Sequence, residues 1–189
     1  MGRLGVAGAR MLAGNAALVV CCVFYVAWWV RAFRPVRPVK GFRSAWLLIP
    51  AAAAGLACAI EALRGLGSVP AGPRLFPGAG VLVAGLALYV VLAAVTWAAM
   101  KRPVTAELLL IVAWAVLAAA EASVLVGLGL FTRAAAWAWV AVIGAATVAN
   151  LVCYVLFYRL KGRARFIDGL VPLVLAALVT AALSTAALA

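Results

Sequence analysis

The chain has 189 residues, of which 70% are apolar and only 11% charged, with a mean hydropathy of +1.24. A soluble domain is nearer half apolar and a quarter charged, so the composition excludes a water-soluble fold and leaves no polar stretch long enough for a separate soluble domain. The net charge of +12 does not indicate nucleic acid, because the Lys and Arg residues sit in short segments between apolar runs, as topology determinants do.

The expected fold class is all-α: a polytopic integral membrane protein with a six-transmembrane-helix bundle, residues 1–189 forming one transmembrane domain. Six runs approach the roughly 20 residues a transmembrane helix needs: 11–30, 45–64, 79–100, 105–130, 135–158 and 169–187. The first follows Arg3 and Arg10 but continues through Trp28 and Trp29 to a basic loop without a small-residue cleavage pattern. It is expected to be a retained helix rather than a signal peptide. Arg34, Pro35, Arg37 and Pro38 close it, followed by Lys40 and Arg43.

The second run opens on Ser44-Ala45-Trp46-Leu47-Leu48-Ile49-Pro50, which resembles a helix start in the tryptophan-rich sensory (translocator) protein family. The resemblance covers seven residues, falls in the second run rather than the last, and lacks that family's Pro- and Trp-rich first loop; no family is assigned on it. Late in this run Glu61 and Arg64, at i and i+3, are expected to form an interfacial ion pair. Ser68, Pro70 and Pro73 separate the second run from the third, and Arg102-Pro103 the third from the fourth.

The fourth run carries the most informative residue. Glu121 lies deep in an apolar stretch, where a carboxylate costs about 2.5–3.5 kcal/mol on insertion scales and persists by facing protein, water or a ligand. Glu107, Trp114 and Glu121 are spaced by seven, so they share one helix face, with Leu110, Ile111, Leu117 and Ala118 completing it. Glu107 has a structural explanation as an acid in the first turn after Pro103 and Thr105. Glu121, several turns further on, has none. It is expected to be protonated at rest, acting either as a packing device bonded to a neighbouring helix or as a proton- or cation-responsive group lining a cavity.

The turn around Phe131-Thr132-Arg133 is the least defined connection. In the fifth run, Asn150 and Tyr154 share a face continued by Tyr158, able to bridge helices or, with Trp114 and Glu121, to form a partly polar pocket with an aromatic wall. Asn15 lies early in the first run. Ala141, Ala145 and Ala149 form a small-residue stripe suited to close packing within the protomer or against a second copy. Arg159, Lys161, Arg163 and Arg165 follow, and Asp168 is expected at headgroup level as the N-cap of the sixth helix. Pro50 and Pro172 each fall about one turn into a run.

Eleven Lys and Arg residues fall in the loops at 31–43, 101–102 and 159–165, against five on the alternate side. This bias places the first set in the cytoplasm and both termini outside, in a plasma membrane whose anionic headgroups meet the basic loops. Trp28, Trp29, Trp46, Trp97, Trp137 and Trp139 fall near run ends, as an interfacial belt requires. The pattern Trp29-x4-Arg34-Pro35-Val36 returns as Trp97-x4-Arg102-Pro103-Val104 but not in the third hairpin.

High alanine, Arg over Lys and short loops fit a prokaryotic membrane. Without histidine, His-ligated haem, zinc or copper sites and imidazole shuttles are excluded. Cys21, Cys22, Cys58 and Cys153 lack metal-type spacing. No nucleophile–base or phosphate-loop motif is present, so no enzyme, cofactor or metal is expected. The expected function is a transporter or transporter subunit for a small solute or ion, built around Glu121. The alternative is a non-transporting accessory subunit or ligand sensor. The small size favours a homo-oligomer or membership of a larger membrane complex.

Overall fold

Helices form where the apolar runs lie, because a backbone surrounded by hydrocarbon must satisfy its hydrogen bonds within its own segment. The computed structural model describes residues 5–33, 45–67, 74–76, 80–100 and 106–189. It contains α1 (Gly5–Phe33), α2 (Leu48–Gly67), α3 (Gly80–Met100), α4 (Ala106–Gly127), α5 (Arg133–Phe157) and α6 (Gly162–Leu188). Five are long and apolar enough to cross a membrane; α3 contributes a shorter apolar stretch, Val83–Ala99. Their outer faces carry exposed apolar side chains such as Leu56, Leu86, Val91, Val148 and Leu178, a surface that suits lipid rather than water. The basic residues 34–43, the Arg-Pro pairs of the hairpin repeat, and the prolines at 70, 73 and 103 lie outside the described residues.

Contacts join α1 to α2, α3 to α4, α4 to α5 and α5 to α6, and α1 also packs on α6. On α1 and α2, Gly14 lies against the backbone of Cys58 and Ala62, Gly55 against Cys21, and Gly65 against Met11. These small residues let the two backbones approach, as van der Waals-driven association in lipid requires. α3 packs on α4, where Gly85 leaves space that the Val116 side chain fills. α4 is the most enclosed helix, touching α2, α3, α5 and α6.

Several boundaries differ from the hydropathy reading. α4 stops at Gly127 rather than 130 because of a Schellman ending. Gly129 has φ 71; Leu130 N–H bonds Leu125 O at 3.0 Å and Gly129 N–H bonds Val126 O at 3.0 Å, while the Leu130 side chain packs on Leu125. Two residues later Thr132 caps α5, its hydroxyl accepting from Ala135 N at 3.1 Å. The least-defined turn therefore has strong local punctuation on both sides.

α6 starts at 162, not 169. Lys161 is its extended N-cap residue and Gly162 has φ 59. Arg163 and Arg165, read as loop, are helical, because charged residues end an apolar run without ending a helix. Asp168 is consequently not an N-cap: it lies inside α6 and is only 9% exposed. Pro172 stands ten residues into the helix instead of one turn, whereas Pro50 does lie in the first turn of α2. α1 likewise begins at Gly5, ahead of the expected residue 11.

The Glu61–Arg64 ion pair forms at 3.2 Å on the surface. Ala141 and Ala145 are exposed and Ala149 half-buried, so the alanine stripe does not serve packing within the protomer. Leu110 is 65% exposed, although it still borders the cavity between α1, α4, α5 and α6.

Candidate functional site

The inner faces of α1, α4, α5 and α6 present two connected features, a polar network and a cavity. Glu121 belongs to the first. It is 7% exposed, and Asn15 of α1 donates to its Oε1 at 2.7 Å. The same Asn15 amide donates to Ser184 Oγ of α6 at 2.9 Å. Ser184 in turn donates to the Thr180 carbonyl at 2.8 Å. Trp114 closes the chain by donating its indole N–H to Thr180 Oγ1 at 3.1 Å. Three helices are thus joined by side chains whose alternative in hydrocarbon is an unmet polar group.

Helix geometry explains the convergence. Trp114, Ala118 and Glu121 lie at i, i+4 and i+7 on α4, and all three are buried, so one face carries them inward. Thr180 and Ser184 are four apart on α6 and share a face in the same way. Sequence reasoning singled out Glu121 and Asn15 separately but missed Ser184 and Thr180. Their i, i+4 hydroxyl spacing in the apolar second half of the helix was the available signal.

On the opposite side of Trp114 from Glu121 lies a partly enclosed cavity of about 260 Å³. Trp114, Leu18 and Ala176 form its deep end, while Trp29, Tyr158 and Asp168 lie toward the end that carries the basic loops. Tyr25, Tyr154 and Phe157 make much of the remaining wall aromatic. Gly169 permits this arrangement: a Cβ there would fall within the Trp29 ring. The Trp29 indole instead lies along α6, donating to the Phe166 carbonyl at 3.2 Å.

Two deeply buried polar groups stand in this wall. Asn150 is 1% exposed, and its Oδ1 has no hydrogen-bond partner among the described residues. Asp168 Oδ2 is likewise buried without a partner among those residues, and its carboxyl lies beside the Cys153 thiol. Pro172 lacks the N–H that would bond the carbonyl four residues back, which is that of Asp168. A buried acceptor with no donor costs about 1–3 kcal/mol, so such groups call for an explanation.

Of the sequence candidates, Trp114, Asn150 and Tyr154 line the cavity together. Glu121 does not line it; Trp114 separates the two and links them through Thr180. The expected three-way convergence of Trp114, Asn150 and Glu121 on one pocket is therefore replaced by a pocket and an adjoining network. Glu107 lies in the first turn of α4, and its side chain is outside the described residues. Asp168 and Cys153 were not foreseen as cavity groups, because Asp168 was placed at a helix cap. Among the described residues no three His, Cys, Asp or Glu side chains come together to hold a metal ion, and the four cysteines are free.

Beyond the network the bundle is filled. Leu125, Leu183 and Ala187 pack with Leu130, Phe131 and Trp139. Ser123 Oγ accepts from Leu75 N at 3.0 Å and Phe76 N at 3.3 Å, and the Phe76 ring meets Trp137 edge-on at 5.5 Å. The cavity thus ends at Trp114 and the network, with an apolar plug behind them. No protein-family model, curated protein or solved structure matches this chain.

Proposed function

We propose that this chain is a six-span plasma-membrane protein that takes a small solute into the cavity between α1, α4, α5 and α6, as a transporter or transporter subunit. The observation carrying the reading is the cavity's pairing of an apolar, aromatic wall with two buried acceptors, Asn150 Oδ1 and Asp168 Oδ2, that lack partners among the described residues. Ligand sites are mostly apolar concavities with a few placed polar groups, and polar groups at membrane depth mark solute pathways.

In this reading the basic end faces the cytoplasm and both termini face outward, following the eleven-to-five distribution of Lys and Arg. Exposed Arg159, Lys161, Arg163 and Arg165 then meet anionic headgroups. The cavity then lies in the cytoplasmic half, and the Leu125–Leu183 cluster fills the other. Glu121, through Asn15 and Ser184, ties α1, α4 and α6 together at the boundary between cavity and plug. Transport requires those three helices to separate there, so the carboxyl is placed to govern the step by gaining or losing a proton.

The closed far end also supports a second reading, a ligand sensor or accessory subunit that binds solute from one side without moving it. Accessibility distinguishes the two. Single cysteines replacing Leu18 in the cavity and Leu183 in the plug are exposed to a membrane-impermeant thiol reagent from each side in turn. A transporter gives cytoplasmic reaction at position 18 and exterior reaction at position 183. A sensor gives the first without the second. Absence of reaction at position 18 from either side defeats both.

A further inference from the structure

We propose that the cavity is built for a small organic ammonium ion with an aromatic or aliphatic body, its charge set beside the Asp168 carboxyl within the aromatic wall. The inference rests on the solute-cavity reading and adds the chemical class of the solute.

Three observations converge on it. First, the cavity wall holds one acid, Asp168, and one amide, Asn150, each with a side-chain oxygen that has no hydrogen-bond partner among the described residues. Asp168 lies beside Cys153, and Asn150 is one helical turn below Cys153 on α5, so the acceptors cluster on one part of the wall. A primary ammonium supplies three donors and accepts nothing, which an alcohol or a carboxylate solute does not match.

Second, the described lining residues include an acid but no Lys or Arg. Among the described basic residues at that end, Arg159, Lys161 and Arg163 are exposed, and the Arg165 guanidinium lies 4.4 Å from the centre of the Phe157 ring. At headgroup level these charges are screened by salt and by anionic lipid, whereas the interior acid is not.

Third, the remaining wall is aromatic, with Trp29, Tyr25 and Tyr158 toward the end that holds the acid and Trp114 at the deep end. Ring faces attract cations and also accept the apolar body. The volume of about 260 Å³ holds on the order of nine non-hydrogen atoms, taking for each the roughly 30 Å³ that a water occupies in the liquid. Positive charge on the solute therefore meets an acid and ring faces, while its body meets Leu18, Leu173 and Trp114.

Cys153 provides a reporter inside the site. The intact protein in lipid nanodiscs is treated with N-ethylmaleimide, and alkylation of Cys153 is followed by peptide mass spectrometry. The probe is 2-phenylethylammonium, with propylbenzene as its neutral isostere and 3-phenylpropanoate as its anionic counterpart. The expected result is that the ammonium slows Cys153 alkylation at least fivefold while the other two do not. Asp168→Asn should raise the half-protecting concentration at least tenfold, and Asp168→Glu should restore part of the difference. Asn150→Leu supplies an independent variant, with the same direction and a smaller effect.

Equal protection by the ammonium and propylbenzene, unchanged in Asp168→Asn, would overturn the cation assignment while leaving a solute cavity in place. Protection by 3-phenylpropanoate alone would also overturn it, reversing the sign of the solute. If Cys153 resists alkylation from either side in the absence of any probe, the cavity is not reached by solutes, and the proposed function fails along with the inference.

Discussion

Replacing Asn15 tests whether the polar network holds α1, α4 and α6 together. Its amide spends both hydrogens, one on Glu121 Oε1 at 2.7 Å and one on Ser184 Oγ at 2.9 Å. Asn15→Leu removes both bonds and leaves Glu121, only 7% exposed, without its donor. Intramembrane hydrogen bonds average about 0.6 kcal/mol and reach about 1.7, and a buried acceptor left unmet costs about 1–3 kcal/mol. The expected loss is thus about 1–3 kcal/mol. Glu121→Leu should cost a similar amount, because Asn15 then keeps only Ser184. The double variant should be less destabilised than the sum, with a coupling of about 0.6–1.7 kcal/mol. Thr147 is the control: it bonds its own helix at Ile143 O, 2.7 Å away, and its replacement by Val should combine additively with Asn15→Leu. Reversible unfolding in bicelles by steric trapping measures all of these. A coupling below about 0.3 kcal/mol for the Asn15–Glu121 pair, with normal insertion, would refute the network.

Glu121→Gln keeps an acceptor for Asn15 and fixes the neutral form, so it should cost under about 1 kcal/mol while removing any pH dependence of solute flux; a flux profile identical to that of the parent assigns Glu121 to packing alone. Gly169→Val should drive a side chain into the Trp29 ring and cost about 1–3 kcal/mol through overpacking, read as a lower unfolding temperature with altered tryptophan emission. Ala145→Leu, on the exposed face of α5, should leave protomer stability within about 0.5 kcal/mol; if it also changes the molecular mass in detergent, that face meets a second copy. Cysteines at Arg163 and Arg133 should label from opposite sides of the membrane, and labelling from one side would break the alternation of α5 and α6.

Helix positions were legible because a hydrocarbon solvent imposes a one-dimensional rule: long apolar runs become helices. Helix ends were less so, since hydropathy marks where lipid stops and not where backbone hydrogen bonding stops. That difference misplaced the start of α6 and turned Asp168 into an expected cap, hiding its place in the cavity wall. Periodicity located the inward face of α4 through Trp114 and Glu121, and of α5 through Asn150 and Tyr154. It gave no register between helices, so Asn15 could not be paired with Glu121, nor Thr180 with Trp114. The alanine stripe illustrates the same gap, because small residues permit close approach on either side of a helix. Leu110 lies at the edge of the inward arc, exposed yet still bordering the cavity.

Solute movement is tested most directly by solid-supported membrane electrophysiology on proteoliposomes holding the intact protein. A concentration jump of 2-phenylethylammonium should give a protein-dependent inward current that saturates, is absent with 3-phenylpropanoate, and falls at least tenfold in Asp168→Asn. Saturable binding of the ammonium in nanodiscs, with no current above that of protein-free liposomes, would contradict transport and leave a protein that senses its ligand from one side.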